Sequence, residues 1–217
     1  EEEKKQYLFE GQDNNSVLNM SNVIKAKEQE KIDDLLNDSK EIERYKLKHE
    51  DILNLICSFE DVEKYFEEEK RKRLGITTEE IKDITIRKGN FEKVLTPEKI
   101  QEYGLNCYQV KELIEKSGEI EKYLTPEIIK ACKMYSFVVK DLIIETGNIE
   151  KYLTPKIKEY GVDKSDVTKL IIETKKIRKY LNNPELLDEM GLEDWNISNL
   201  IKEEIKDLSE EEKKQYL

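Results

Sequence analysis

The chain aligns on itself. The stretch LIEKSGEIEKYLTPEII, Leu113 to Ile129, recurs as LIIETGNIEKYLTPKI from Leu142 to Ile157 and more loosely as LIIETKKIRKYLNNPELL from Leu170 to Leu187. Upstream, ITIRKGNFEKVLTPEKI from Ile84 to Ile100 is the same unit. Taking the first buried-type β-branched residue of each unit as its anchor gives Ile52, Ile81, Val110, Val139, Val167 and Ile197, with separations of 29, 29, 29, 28 and 30. Self-similarity at a fixed period is the mark of a repeat architecture, in which a unit too small to bury its own apolar face is stabilised by its neighbours.

The punctuation within a unit is helical. In Leu95, Thr96, Pro97, Glu98, and again at Leu124 and Leu153, threonine is placed to cap a helix and proline occupies its first position, where no hydrogen bond is lost. This first helix should run about two turns and stop at Gly104 or Gly161, with Gly75 and Gly191 equivalent elsewhere. A second helix opens at Thr77 with Glu80 in a capping-box pattern, or at Asp163 with Asp166 in a weaker one. Its apolar residues fall at the anchor and at three and four positions beyond it, as in Val110, Leu113 and Ile114, which is one face of an α-helix. Gly89, Gly118 or Gly147 then ends it, and a short segment carrying Phe91, Ile120 or Ile149 leads to the next threonine.

The expected fold is all-α, a right-handed-type helical-repeat solenoid of about six two-helix units with a period near 29 residues. Residues 1–30 read as a loop rich in Asn, Ser and Asp followed by a charged helix from Val23 to about Asn37. The repeats occupy 31–208, with units near 31–46, 47–75, 76–104, 105–134, 135–161, 162–191 and 192–208. In the first of these Ile32, Leu35, Leu36, Ile42 and Tyr45 match the offsets of Val110, Leu113, Ile114, Ile120 and Tyr123, a truncated capping unit. An acidic tail, 209–217, follows.

A longer period overlies this one. EEEKKQYL at residues 1–8 is repeated at 210–217, an offset of 210 − 1 = 209. Either this is a module of about 209 residues from a tandem array, or a short segment has been duplicated artificially. In an array the two ends of the module should be mutually complementary, and head-to-tail self-association is expected.

Charge narrows the partners. With 38 basic and 49 acidic residues the net charge is −11, a surface that repels phosphate backbones unless its basic groups are segregated. The densest basic run, Lys70 to Arg73, directly follows Glu67, Glu68 and Glu69 and reads as a self-compensating helix surface. Nucleic acid is therefore disfavoured as a partner. Cys57, Cys107 and Cys132 form no CxxC pair and are expected as buried free thiols. No stretch approaches the roughly 18 apolar residues of a membrane span, and no signal-peptide pattern opens the segment. A soluble segment, cytoplasmic or secreted into a host, is expected, with any targeting signals outside it.

No catalytic constellation stands out. His49, the single histidine, lies between Lys48 and Glu50 without a second histidine or a cysteine, and no phosphate loop, nucleophile elbow or metal-ligand spacing appears. A non-enzymatic protein without metal or cofactor is expected. The candidate surface lies two positions before and five after each anchor, seven residues apart on one side of the second helix: Tyr108, Phe137 with Ile144, Ile172, and Trp195. Such a stripe is either core between stacked units, the favoured reading, or a protein-binding ridge of the aromatic kind enriched in interfaces. The recurrent Tyr123, Tyr152 and Tyr180 are expected to bury the ring and keep the hydroxyl at the surface. Tyr7 and Tyr216, in the two octapeptides, are a candidate phosphorylation or docking motif.

The stretch TPEIIKACKMYSFVVKDLIIETGN, Thr125 to Asn148, resembles an ankyrin repeat in Thr125 and Pro126, Ala131, and Val138, Val139 and Leu142, although the ankyrin glycine is absent at Tyr135. Tyr103 through Leu124 is similar to the helical repeats of mitochondrial transcription termination factors, in Gly104, Leu105, Val110, Leu113 and Ile114. The second resemblance implies nucleic-acid binding through a basic surface, which this acidic chain does not offer. A bias to lysine, glutamate, isoleucine and asparagine suggests an AT-rich genome. The leading expectation is a protein-binding scaffold, possessing a host or self partner and belonging to a repetitive surface or effector protein of a pathogen or symbiont. The alternatives are a spacer without a specific ligand and a nucleic-acid-binding repeat.

Overall fold

The computed structural model describes residues 26–206, with side chains from Lys31 onward. Both octapeptides, with Tyr7 and Tyr216, lie outside the described residues. Among those residues the chain is all-helical, and it divides between Lys93 and Val94 into two compact units.

The first unit holds α1 (Ala26–Asn37), α2 (Ser39–Arg44), α3 (His49–Cys57), a 3-10 turn (Glu63–Tyr65), α4 (Glu68–Leu74), α5 (Thr78–Lys88) and most of α6 (Phe91–Val94). Its core gathers Ile32, Leu36, Leu55, Ile56, Tyr65, Phe66 and Ile81. The second holds α7 (Pro97–Tyr103), α8 (Cys107–Ser117), α9 (Ile120–Tyr123), α10 (Pro126–Ala131) and α11 (Ser136–Glu145). Two 3-10 turns follow (Ile149–Lys151 and Pro155–Tyr160), then α12 (Lys164–Glu173), α13 (Ile177–Leu181), α14 (Pro184–Glu189) and α15 (Asp194–Glu204). In it α8 packs on α11, α11 on α12 and α12 on α15, and the facing residues Val110, Leu113, Val139, Leu142, Leu170 and Leu200 are buried.

The expected two-helix unit is corrected to three helical segments. The connector read as a turn is itself helical at Phe91–Val94, Ile120–Tyr123 and Ile177–Leu181, and a 3-10 turn at Ile149–Lys151. Too short to be stable alone, these turns are held by the tyrosine or valine that each inserts into the core: Val94, Tyr123, Tyr152 and Tyr180 are all buried.

Most caps form as the residue pattern predicts. Thr96 Oγ1 accepts from Lys99 N at 3.3 Å and Thr125 Oγ1 from Ile128 N at 3.4 Å, while Thr77 and Glu80 form a capping box. Thr154 departs from the pattern: it has the extended cap backbone but no side-chain bond, and the segment after it is 3-10. At α12, Asp163 Oδ1 accepts from Asp166 N at 2.9 Å, but the return half of the box runs elsewhere. Asp163 N donates to Ser136 Oγ, which in turn donates to Asp166 Oδ2 at 2.6 Å, so this cap is completed by α11.

Glycine closes helices in the left-handed region at Gly104 and Gly118. Where the next unit has no glycine, the turn is kept and lysine takes it: Lys133, twenty-nine residues after Gly104, has φ 52°. Since a side chain in that region costs roughly 1–2 kcal/mol, Lys133→Gly should stabilise the second unit by about 1 kcal/mol after the entropy that glycine adds to the unfolded chain. Urea unfolding of the two proteins measures the difference, and no gain or a loss would contradict it.

Polar contacts join residues 29 or 30 positions apart. Lys93 Nζ meets Glu63 Oε2 at 3.0 Å, Lys151 Nζ meets Glu121 Oε2 at 2.8 Å, and Lys179 Nζ meets Glu150 Oε2 at 3.3 Å. Exposed pairs of this kind add little stability. The same lysine-tyrosine dipeptides lay Lys122, Lys151 and Lys179 over the rings of Tyr123, Tyr152 and Tyr180, 5.0 to 5.7 Å from the centroids.

The expectation for these tyrosines is overturned in part. Their rings are buried, but so are the hydroxyls of Tyr123 and Tyr152, and neither has a hydrogen-bond partner among the described residues. Burial pushes the Tyr152 phenol up to about 12, with Glu121 adding to the rise. The chain folds over the rings more completely than an amphipathic tyrosine requires. Tyr65, at the equivalent position of the first unit, is satisfied, donating to Asp33 Oδ1 at 2.5 Å. Removing an unsatisfied buried hydroxyl relieves a desolvation cost of about 1 kcal/mol, while removing a bonded one loses a similar amount. Tyr123→Phe and Tyr152→Phe should therefore raise the melting temperature and Tyr65→Phe should lower it. Equal signs for all three would refute the assignment.

Candidate interaction surface

The surface is assembled at the amino-terminal ends of α8 and α11. Asn106 caps α8: its Oδ1 accepts from Tyr108 N at 3.0 Å and Gln109 N at 3.1 Å, and Gln109 Oε1 accepts from Asn106 N at 3.0 Å. This box fixes the first turn and with it the base of Tyr108. Tyr135 is the cap residue of α11, with extended backbone (φ −74°, ψ 147°), and Phe137 stands two residues on. Ser136 between them is tied to Asp163 and Asp166 of α12, which anchors the turn from behind.

The three rings meet in the open. Tyr135 and Phe137 stack with centroids 5.8 Å apart and planes 8° from parallel, and Tyr108 leans on Tyr135 at 6.4 Å and 47°. Tyr108 is 57% exposed, Tyr135 56% and Phe137 46%. The favoured reading of this stripe as core is thus corrected at its leading positions. Trp195, 65% exposed, also stands in water, at the rim of a shallow depression formed with Val162, Met190, Lys158 and Lys164. Ile144 and Ile172, five positions after their anchors, are half-buried. The stripe divides between its leading residues, which stand exposed in the first turns of their helices, and its trailing residues, which are half-buried in last turns. Tyr135 was not among the expected surface residues: it lies outside the seven-residue spacing and reaches the surface through the cap geometry of α11.

The other groups singled out by residue type are structural. His49 Nε2 lies 2.6 Å from Glu80 Oε1, and the second oxygen of Glu80 accepts from Thr77 N at 2.8 Å and Thr77 Oγ1 at 2.9 Å. The imidazole therefore braces the cap of α5. Burial raises the Glu80 carboxyl, but the bonds from Thr77 and His49 outweigh it and hold the group below its ordinary range. Cys107 and Cys132 are buried free thiols as expected, whereas Cys57 is only half-buried. Burial pushes the Cys132 thiol up to about 11, with Cys107 adding to the rise, which keeps it protonated and unreactive at neutral pH. In the basic run, Lys70 lies 3.6 Å from Glu67, Lys72 pairs with Glu68, and Arg73 Nη2 donates to Asn37 Oδ1 at 2.8 Å. No cluster of three or more metal-binding side chains occurs among the described residues, nor does any helix of them have the length and apolarity to cross a membrane.

No protein-family description, curated protein or solved structure matches this chain.

Proposed function

We propose that this chain is a protein-binding helical-repeat scaffold, its units stacked with a period near 29 residues as a solenoid, and that Tyr108, Tyr135 and Phe137 are its contact surface, with Trp195 a second contact. The observation that carries the reading is the cluster of three exposed rings in mutual contact. The fold does not need aromatic residues there: the position of Tyr108, Phe137 and Trp195 is held by Glu50, Glu79 and Ser165 in other units. Rigid aromatic side chains offer a large contact area at little entropic cost, and such anchors dominate binding energy. The described pairing of the basic run, together with the net charge of −11, favours a protein over a nucleic acid.

The test is affinity capture from host-cell and self lysates with the chain and with a combined Tyr108→Ala, Phe137→Ala, Trp195→Ala variant. Exposed positions should leave stability within about 0.5 kcal/mol of the parent, while the captured protein is lost. A partner retained by the folded variant removes these residues from the surface. Capture of nothing would favour the second reading, a spacer module, which the recurrence of EEEKKQYL at an offset of 209 supports independently.

A further inference from the structure

In α3, α8, α11 and α12 the anchor residue and the residue four positions on form a strip covered by a later helix of the same unit. Ile52 with Ile56, Val110 with Ile114, Val139 with Ile143 and Val167 with Ile171 are all buried, and their helices pack on α5, α11, α12 and α15 in turn. The residue after the anchor faces the same way: Thr168 Oγ1 accepts from Asn196 Nδ2 of α15 at 3.1 Å.

In α15 the pattern breaks on one side only. Asn196 and Leu200, which face back to α12, are buried. Ile197 and Ile201, at the two strip positions, are half-buried, as are Ser198 and Ile205. The amino-terminal unit shows a complementary departure. Tyr45 and Leu47 are half-buried, whereas their counterparts Tyr123, Tyr152 and Tyr180, and Ile76, Leu105 and Met134, are buried.

We infer that the strip Ile197, Ser198, Ile201 is a docking face for a second copy of this chain, whose amino-terminal unit, through Tyr45 and Leu47, continues the stacking head to tail. Two observations specify that occupant. The strip has the composition of the α12 strip, two β-branched residues four apart with a small hydroxyl residue beside the first, and the α12 strip takes a helix of the repeat. The sequence that follows α15, EEEKKQYL, is also the sequence that precedes α1, so the same segment leads out of the last unit and into the first. The inference rests on the stacked-repeat reading above and is independent of the aromatic surface. Contact between unlike faces is not completed by a pair, so association passes beyond the dimer, into a ring or an open chain.

Sedimentation equilibrium of the 217-residue chain over a wide concentration range tests this. The expected result is a mass that rises past the dimer, with association at least tenfold weaker in Ile201→Lys and in Ser198→Arg. Circular dichroism and melting establish that each variant is folded; Ser198→Arg, at a half-exposed polar position, serves if Ile201→Lys unfolds. The Tyr108→Ala, Phe137→Ala double variant should associate like the parent. A chain that stays monomeric, including one whose strip is covered by its own tail, overturns the inference, as does association that both strip variants preserve. Either failure, with partner capture by the aromatic surface intact, leaves the scaffold reading standing and removes only self-docking.

Discussion

Replacing Leu142 by alanine is expected to destabilise the 94–217 unit by about 3 kcal/mol. Leu142 lies in α11, whose neighbours on either side are α8 and α12, and its side chain is fully buried. Truncation loses the transfer free energy of the removed carbons and leaves a cavity that helices held on both sides cannot collapse to fill. For a unit of this size the loss corresponds to a fall in melting temperature of roughly 10 °C. Ile144→Ala, two residues away but half-buried, should cost about a third as much. Urea unfolding at neutral pH checks both, and equal losses would mean that α11 does not present Leu142 to its neighbours as described.

Removing the Asp166 carboxylate should cost about 2 kcal/mol at neutral pH. This buried group accepts from Ser136 Oγ at 2.6 Å and pairs with Lys169 Nζ at 2.9 Å, tying α12 to the cap of α11. Burial raises the carboxyl, but the Ser136 hydroxyl and the Lys169 ammonium outweigh it, holding the group below its ordinary value of 3.8. A folded value below the unfolded one means more protons bind on unfolding, so stability falls with acid. The contribution is complete above the unfolded value near pH 4 and disappears as the pH falls through the lower, folded value. Asp166→Ala should therefore be weaker than the parent at pH 7 and approach it at pH 3. A constant gap across that range would show that packing, not the charge, supports the site. In the first unit Asp33 follows the same sign: burial raises it, and Tyr65 and Lys64 lower it by more.

The helical content, the core strip and most of the caps were legible residue by residue. Thr77 with Glu80 satisfies a local rule that involves only the first turn of its own helix, and Val110, Leu113 and Ile114 share a face because of the helical period alone. Rules failed where a second element took part. Asp163 and Asp166 pass as a weak capping box until Ser136 of α11 completes it, and Thr154 has the right residue without the bond. The left-handed turn at Lys133 has no glycine to signal it.

What the residue order determined by itself, then, is periodicity: which positions are equivalent, where helices start and stop, and which side of each helix is apolar. The tertiary structure alone decided whether an apolar side is covered. Periodic spacing puts Tyr108, Phe137, Ile144 and Ile172 on one side of their helices, but the first two stand in water in first turns and the last two are half-buried in last turns. The hydroxyls of Tyr123 and Tyr152 are buried without partners among the described residues, which their place in the sequence did not signal. Burial depends on which other segments arrive at a surface, and one helix's own residues carry no record of that arrival.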